Sequence, residues 1–357
     1  MSLNDLLGGT SVYWMNIPAD GRDIAISCRV RLARNISGIP FPHLLDTAKG
    51  IEIMESVKAA HEGADGLLLR SMHLFTFDQL DILDRQTLTE KHLCSPEHAA
   101  SGERHRGIML NEDKSLAVMI NEEDHLRIQC LLPGLALKEC HDLAQQLDDE
   151  LEQTLDYAFD EVRGYLTACP TNVGTGMRAS VMLHLPAAQM TGLINQLLQN
   201  VSQLGLAVRG LYGEGSEPVG NFYQISNQIT LGQTEEDIYN YLQTIAEQIV
   251  EQEIQLRERL MAEMPYQLED KIGRAYGILN NARLIGSDEA MRMLSLLRLG
   301  IDLKIIKGIN IYALNQLMVA IRPAHLQKIG GHPMEALQRD VLRAEVIKQK
   351  LSCQEAD

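Results

Sequence analysis

The chain has 357 residues, 45% of them hydrophobic and 22% charged, which is the composition of a folded globular protein. Its 48 acidic residues exceed its 32 lysines and arginines and leave a formal charge of −16 at pH 7. This acidic balance argues against a general nucleic-acid binder, and no stretch approaches the roughly 18 consecutive apolar residues of a membrane span. The length predicts two domains, each large enough to bury its own core.

The cysteines and the amino-terminal residues indicate the compartment. The six cysteines are scattered without a Cys-x-x-Cys pair, and residues 1–20 show no basic region followed by an apolar core. We therefore expect a reduced, cytoplasmic protein with no membrane segment and no direct nucleic-acid partner. The eleven histidines form no zinc-ligand pattern, so no metal held by the protein itself is expected.

The first third of the chain predicts strands flanked by helices. Residues 23–35 alternate apolar and polar side chains and then become rich in arginine, as expected for a strand. Helices are predicted at 47–61 and 76–92. The apolar runs between 108 and 132 are separated by two short polar turns, which predicts an antiparallel meander of three strands.

Leucines at every fourth position from Leu143, continued by Phe159, predict an amphipathic helix over 138–161. Further strands are predicted near Tyr165 and at 179–185, 206–211 and 222–226, with helices at 187–204 and 234–261. After Pro265 helical periodicity is almost continuous, with breaks at Gly286-Ser287, Gly308, Pro323 and Gly330-Gly331. The predicted fold class is α+β, an antiparallel sheet flanked by helices, followed by an all-helical domain from about residue 260.

Four polar segments are candidates for chemistry, and two of them lie on or beside strands. Arg29 and Arg31 point to one face of the first strand, where they can donate to phosphate oxygens or simply form a solvated edge. Residues 121–127, Asn-Glu-Glu-Asp-His-Leu-Arg, crowd carboxylates into a turn. Such a turn suits a general base or a cation site, although a polar hairpin turn is the commoner meaning; Arg127 lies in the strand that follows.

The other two candidates are glycine-containing loops. Cys169 opens a long polar loop that leads to Arg178, and such a loop can bind an anion through its backbone amides. The loop at 209–218 carries Glu214 and Glu217 and is either a mobile lid or a flexible acidic surface loop. Together, the arginines suit a polyphosphate, and the carboxylates and thiol suit a cationic acceptor, as phosphoryl transfer to a positively charged nucleophile requires.

These segments resemble the signature motifs of the phosphagen (guanidino) kinase family. Cys-Pro-Thr-Asn-Val-Gly-Thr from Cys169 resembles the family's loop, residues 121–127 its conserved turn, and Ser27-Cys-Arg-Val-Arg its phosphate site. The similarity covers roughly residues 23–255 in the same order. The segments from Gly213, Gly220 and Arg339 resemble the branch of the family that modifies arginine in bacterial proteins. Only 26 residues precede Ser27, where the small-molecule enzymes carry an additional helical domain.

The resemblance implies an ATP-dependent kinase of protein arginine side chains, with Mg²⁺ bound through the nucleotide. It implies a lead segment at 1–22, a catalytic domain at 23–258 and a helical domain for dimerisation and regulation at 259–357, in a homodimer or larger oligomer. The implied partners are protein substrates with exposed arginine, a Clp-type protease, a heat-shock repressor and an activator protein.

The resemblance also implies roles for individual residues. Glu123 binds and deprotonates the guanidinium with Glu214 as its partner, and Cys169 positions the reactive nitrogen. Since an arginine of the small-molecule enzymes is Tyr212 here, Glu217 stays an alternative to Glu214. The nucleotide phosphates are held by Ser27, Arg29, Arg31, His92, Arg127, Arg178, Ala179, Ser180 and Arg209.

The carboxy-terminal residues Arg339, Asp340, Arg343 and Ala344 have two interpretations. A salt-bridged surface face is the usual meaning of such a run, whereas the resemblance implies an allosteric pocket for phosphoarginine. Two other functions stay open for the whole chain: a kinase of free arginine or another small guanidino compound, and an inactive phosphoarginine-binding adaptor. The presence of Glu123, Arg127 and Arg178 argues against the adaptor.

Overall fold

A computed structural model describes residues 9–16, 24–100, 103, 105–210 and 219–352. These residues separate into two compact units. The first contains Cys28–Ser180, Ser226–Gln243 and the described part of Met1–Trp14, and the second contains the described parts of Met15–Ser27, Val181–Ile225 and Thr244–Asp357. The limits of these units differ from the predicted domain limits near residues 22 and 258, which stay a prediction.

The strands form one large sheet and one small hairpin. In the large sheet the strand order is β2-β3-β4-β5-β1-β8-β10-β9, and β6 pairs with β7 in the hairpin. The strands are β1 (Ala25–Arg34), β2 (His73–Thr76), β3 (Gly107–Leu110), β4 (Leu116–Ile120), β5 (Leu126–Pro133), β6 (Phe159–Asp160), β7 (Gly164–Tyr165), β8 (Met177–His184), β9 (Leu206–Arg209) and β10 (Phe222–Asn227). The predicted meander is confirmed, since β3, β4 and β5 pair antiparallel with Met109 opposite Val118 and Val118 opposite Ile128.

The α-helices of the described residues fall into two groups. Before residue 264 they are α1 (Thr47–Glu62), α2 (Leu67–Ser71), α3 (Ile82–Glu90), α4 (Pro96–Ala100), α5 (Leu137–Glu152), α6 (Pro186–Met190), α7 (Ile194–Gln203) and α8 (Glu235–Glu263). After it they are α9 (Pro265–Asn281), α10 (Ser287–Asp302), α11 (Ile311–Ala320), α12 (Pro323–Gly330) and α13 (Ala336–Ser352). The α+β class with a helical carboxy-terminal region is thus confirmed.

Three predicted helices are wrong in their limits. The segment predicted as a helix over 76–92 begins as β2, and α3 starts only at Ile82, because the Asp81 side chain accepts the Asp84 amide and caps it there. The helix predicted over 138–161 stops at Glu152, and Phe159 lies in a hairpin strand. The helix predicted over 187–204 is divided into α6 and α7 around Gly192, whose φ of 75° no right-handed helix accepts.

The breaks predicted in the helical region are confirmed. Gly286 precedes α10, Pro323 starts α12, and Gly331 ends α12 in the left-handed conformation. In the second unit, Leu260, Leu268, Ile272 and Leu299 form a buried apolar cluster. Among the helices of the described residues, none is both long and apolar enough to cross a membrane.

The central strand β1 separates two kinds of surroundings. Cys28, Val30 and Leu32 alternate along it and are fully buried on one face. Arg29 and Arg31 occupy the intervening positions and are only half-buried on the other face. Because β1 lies between β5 and β8, this second face brings side chains from three neighbouring strands together.

Candidate active site

Four arginines lie on three adjacent strands of the large sheet. Arg29 and Arg31 come from β1, Arg127 from β5 and Arg178 from β8. Burial, followed by the charges of Arg29, Arg127 and Arg178, lowers the pKa of Arg31 well below its ordinary value, and the charge of Glu122 offsets this only in part. The buried Nε of Arg31 has no hydrogen-bond partner among the described residues. These four residues, the guanidinium face, therefore hold an excess of positive charge that suits a polyphosphate.

Other predicted phosphate-binding residues lie close to the guanidinium face. Ser180 follows Arg178 by two positions on β8 and therefore lies on the same face of that strand. Its side chain is 3% exposed. The carbonyl of His92 accepts from Nε2 of Gln129 at 2.8 Å, and Gln129 follows Arg127 by two positions on β5. His92 has a φ of 63°, so the chain turns sharply there. Its position beside β5 is compatible with the predicted role.

The turn before β5 is held in a fixed shape by its first residue. Asn121 adopts a φ of 58°, and its amide donates to the carbonyl oxygen of His125 at 2.8 Å. The Asn121 side chain donates to the carbonyls of Gly50 at 2.9 Å and His105 at 2.6 Å. The turn is therefore anchored to the helix α1 and to the segment before β3, and the carboxylates that follow have defined positions.

Arg127 joins the two consecutive glutamates of this turn. Its guanidinium contacts a carboxylate oxygen of Glu122 at 2.7 Å and also forms a short ion pair with Glu123. The two glutamates differ in exposure, since the side chain of Glu122 is 7% exposed and that of Glu123 is 43% exposed. Glu123 is therefore the carboxylate that an incoming acceptor can reach, next to the guanidinium face.

Glu122 is a structural carboxylate that the sequence did not single out. Burial on its own would raise its pKa, but Arg127, the Ser95 hydroxyl at 2.7 Å and the Glu123 amide at 2.8 Å outweigh burial and lower it. The side chain is thus held ionised and orients Arg127. No local pattern separates Glu122 from Glu123, because the exposure of each side chain depends on distant residues such as Ser95.

Asp124 connects the turn to the loop that carries Cys169. Its Oδ1 accepts from the side-chain nitrogen of Asn35 at 2.7 Å and from the amide of Ala168 at 2.7 Å. Asn35 in turn accepts from the amide of His125 at 2.9 Å and donates to the carbonyl of Leu166 at 3.0 Å. Asp124 and Asn35 therefore hold the turn that carries Glu123 and the loop that carries Cys169 in fixed positions relative to each other. No local pattern in the sequence predicts these two roles.

The Cys169 loop is fixed along its whole length. Cys169 is partly exposed, and its Sγ lies 3.0 Å from the hydroxyl oxygen of Thr171. The Thr230 hydroxyl donates to the carbonyls of Thr171 at 3.0 Å and Val173 at 2.7 Å. At Gly174, where φ is 116°, a side chain would come within 2.6 Å of the Thr230 carbonyl, so only glycine fits. The thiol thus faces outward from a rigid support.

Two family models cover most of the chain. Residues 52–256 match the ATP:guanido phosphotransferase C-terminal catalytic domain, and residues 265–357 match the protein-arginine kinase McsB C-terminal domain. The protein-arginine kinase of Syntrophomonas wolfei is 57% identical over 98% of this chain and 98% of its own length. That of Halothermothrix orenii is 48% identical over 99% of this chain and 100% of its own length. The chain belongs to the protein-arginine kinase family.

Solved structures of other guanidino kinases share the fold of this family member. The taurocyamine kinase of Schistosoma mansoni, solved with transition-state analogue components, aligns with a TM-score of 0.58 and 27% identity. The alignment covers 69% of this chain and 35% of that one. Lombricine kinase aligns with a TM-score of 0.56 and 25% identity over 65% of this chain and 66% of its own. The shared part of the fold is thus about two thirds of this protein-arginine kinase homologue.

The remaining predicted residues of this family member are placed as follows. Ser27 precedes Arg29 on β1 and is buried, and Arg209 is the half-buried last residue of β9. Ala179 is fully buried on the face of β8 opposite to Arg178, and its amide donates to Oδ1 of Asn227 at 2.8 Å. Glu214, Glu217 and Tyr212 lie outside the described residues. The choice between the two carboxylates therefore stays a prediction.

The carboxy-terminal cluster lies on α13. Arg343 is 2% exposed, and its guanidinium donates to the carbonyls of Ile321 at 2.9 Å and Ile285 at 2.7 Å and pairs with Asp340. Arg339 is half-buried and donates to the carbonyl of Met334 at 2.6 Å. Ala344 is buried beside Arg343. Arg343 thus connects three segments of the helical region. The role of these residues as a phosphoarginine pocket stays a prediction.

Proposed function

We propose that this protein transfers the γ-phosphoryl group of ATP to a guanidinium nitrogen of arginine side chains in protein substrates. The observation that carries the proposal is the arrangement of one outward carboxylate, Glu123, and one outward thiol, Cys169, beside the guanidinium face. Membership of the protein-arginine kinase family supports the choice of acceptor.

The acceptor dictates what the site has to do. An arginine guanidinium is protonated at neutral pH and has no lone pair with which to attack. Glu123 accepts a proton from the attacking nitrogen as the N–P bond forms, while the bond from the γ-phosphorus to the β–γ bridging oxygen breaks and ADP leaves. Cys169 and a second carboxylate, Glu214 or Glu217, orient the guanidinium. No phosphorylated enzyme is formed.

The guanidinium face acts on the other partner of the reaction. Arg29, Arg31, Arg127 and Arg178 donate to the phosphate oxygens and stabilise the charge that develops there in the transition state. The resemblance to the phosphagen kinase family supports an Mg²⁺ ion that binds through the phosphate groups of the nucleotide. Bound there, Mg²⁺ would neutralise phosphate charge.

One experiment separates this function from the alternatives. The protein is incubated with Mg-ATP and either free arginine or an unfolded arginine-containing protein, and acid-labile phosphate is measured. Phosphate on the protein substrate is the expected result. Phosphate on free arginine alone would identify a small-molecule kinase, and none on either acceptor would favour a phosphoarginine-binding adaptor. The Glu123→Gln variant is the matched control.

We propose further that the product proteins are recognised by a Clp-type protease, that a heat-shock repressor is among the substrates, and that an activator protein and self-association regulate the enzyme. The resemblance of the chain to bacterial protein-arginine kinases supports these partners. Residues Arg339, Asp340, Arg343 and Ala344 are the proposed phosphoarginine-binding pocket. Arg339→Ala should abolish any activation by a phosphoarginine peptide, measured as the rate with and without that peptide.

A further inference from the structure

Four exposed apolar side chains flank the Cys169 loop. Phe159 and Val162 belong to the β6–β7 hairpin and are 57% and 90% exposed, and Ile229 and Leu231 follow β10 and are 55% and 56% exposed. All four belong to the same compact unit as the guanidinium face. A cluster of exposed apolar side chains next to a reactive site is a contact surface by physical expectation, because single exposed residues are common and clusters are not.

The two pairs are connected through Gly174. Tyr165 pairs with Phe159 in the hairpin and also forms a bridge with Gly174. On its other side, Gly174 packs against the segment of Thr230 and Leu231, where a Cβ on the glycine would lie 2.9 Å from Cα of Leu231. Neighbouring extended segments lie about 5 Å apart. The four side chains therefore belong to segments that border the loop, with two on each side of it; we call these four residues the apolar strip.

The fold does not require apolar residues at these positions. At the hairpin tip, Asp160 accepts from the amides of Val162 at 3.0 Å and Arg163 at 2.8 Å, so the backbone holds the turn. Across the loop, the segment around Leu231 is held by Thr230, whose hydroxyl donates to the loop carbonyls. The side chains of Val162 and Leu231 are thus available for a partner.

The residues around the apolar strip are mainly acidic, and their charge indicates which kind of polypeptide it binds. Residues 156–163 contain three acidic residues and one arginine, and residues 228–237 contain three acidic residues and no basic one. Asp156, Glu161 and Glu236 are exposed. An apolar strip set among carboxylates favours a segment that is apolar and carries positive charge.

We propose that the apolar strip binds the polypeptide on either side of the target arginine and that it selects apolar, positively charged segments. This inference rests on the proposed function. A polypeptide whose arginine reaches Glu123 and Cys169 runs across the surface beside the loop, and at about 3.3 Å per residue its second to fourth neighbours reach the strip.

The test compares two peptides of equal charge that each contain one arginine. One has Leu and Phe at the second to fourth neighbouring positions, and the other has Ser there. Initial rates give kcat and KM for each peptide with the wild type, Val162→Ser, Leu231→Ser and the control Leu67→Ser, an 81% exposed leucine at the start of α2. The wild type and the control should favour the apolar peptide about fivefold to tenfold in kcat/KM, through KM.

The two strip variants should lose most of this preference and keep their kcat on the Ser peptide. Equal kcat/KM for both peptides with the wild type, or an unchanged preference in the variants, would overturn the proposal. Light scattering of the same variants tests a second occupant, because a change in oligomeric state with an unchanged preference would assign the strip to a contact between copies of this chain. Failure to phosphorylate either peptide would instead contradict the proposed function.

Discussion

Arg31 and Arg34 lie three residues apart on β1, on opposite faces. The charges around Arg31 are mainly positive, and those around Arg34 are negative. The side chain of Arg34 is fully buried, donates to Asp148 at 2.8 Å and to the carbonyls of Ala33 and Thr175 at 3.0 Å, and lies 3.5 Å over the ring of Tyr165. Although burial alone lowers the pKa of Arg34, Asp148, Tyr165 and Glu235 raise it above its ordinary value. At Arg31, burial and the charges of three other arginines all lower the pKa, so its net shift is downward where that of Arg34 is upward.

The difference separates a structural arginine from a functional one. A buried cation whose carboxylate and carbonyl partners are all supplied by the fold holds the fold together. A cation that is surrounded by further cations instead weakens the fold and favours an anion from outside. Changes on the Arg31 face should therefore lower activity and leave stability intact, and changes on the Arg34 face should do the reverse.

The largest expected effect is on the Arg31 face. Glu123→Gln should lower kcat by about 10²–10⁴-fold, because an amide cannot accept the guanidinium proton. Its free energy of unfolding should stay within about 0.5 kcal/mol of the wild type, since the Glu123 side chain is 43% exposed and lies at the surface. Phosphotransfer assays and urea unfolding measure the two quantities, with nucleotide binding as a control that should be nearly unchanged. A fully active variant would remove Glu123 from the role of base.

On the opposite face, Arg34→Met should lower the free energy of unfolding by about 3–5 kcal/mol, because it leaves Asp148 buried without its partner. The exposed Arg163→Met is the matched control and should change stability by less than about 0.5 kcal/mol. Chemical unfolding of the three proteins gives the comparison. A loss of activity in Arg34→Met without a loss of stability would contradict the distinction between the faces.

Arg31→Met should lower kcat/KM by about 10²–10³-fold, since it removes one donor to the phosphate oxygens. Its stability should be equal to or greater than that of the wild type, because the variant removes a half-buried charge that three arginines repel. The same unfolding and activity assays measure both effects. If Arg31→Met is as unstable as Arg34→Met, the two arginines have the same structural role and the comparison fails.

The smallest effect concerns Glu122 and pH. Its surroundings lower its pKa below the ordinary value of 4.5, so the stability that its ionised form contributes is present above that value and is lost as the pH falls through the lowered pKa. The difference in unfolding free energy between the wild type and Glu122→Gln should be constant above about pH 5 and shrink below about pH 4.5. A difference that grows on acidification would reverse the assigned direction.

The sequence predicted that Arg29 and Arg31 share one face of a strand, because period-two alternation is a local property. The phosphate-binding roles of these arginines and of Arg127 and Arg178 came from the family resemblance and stay a prediction. The sequence did not separate Arg34 from Arg31, because the partner that decides the role of Arg34, Asp148, is 114 residues away. Nor did it separate Glu122 from Glu123, whose exposures depend on Ser95 and Arg127. Local patterns thus identify the charged residues of a strand or turn, and contacts with distant residues decide which of them are buried in ion pairs and which face the site.

The helical period is wrong for β6, the first strand of the hairpin, whereas the strand predicted near Tyr165 is confirmed as β7. Phe159 continues the four-residue spacing of leucines that begins at Leu143, and this spacing predicts a helix that runs through it. In the structure α5 ends at Glu152, and an isolated bridge pairs Tyr157 with Ile36 beyond β1. A long-range pairing therefore overrides the helical period, and it exposes a phenylalanine that the pattern would have placed in a core.

The Nε of Arg31 has no hydrogen-bond partner among the described residues and lies close to three further arginines, so we expect the stability of the protein to depend on the anions in solution. Any anion that binds the native guanidinium face and not the unfolded chain stabilises the fold by linkage, by about 2.7 kcal/mol at 100 times its dissociation constant. The melting temperature should consequently rise with ATP or inorganic phosphate, and Arg31→Met should reduce this rise. The melting temperature of this enzyme would then rise and fall with the concentration of ATP in the cell.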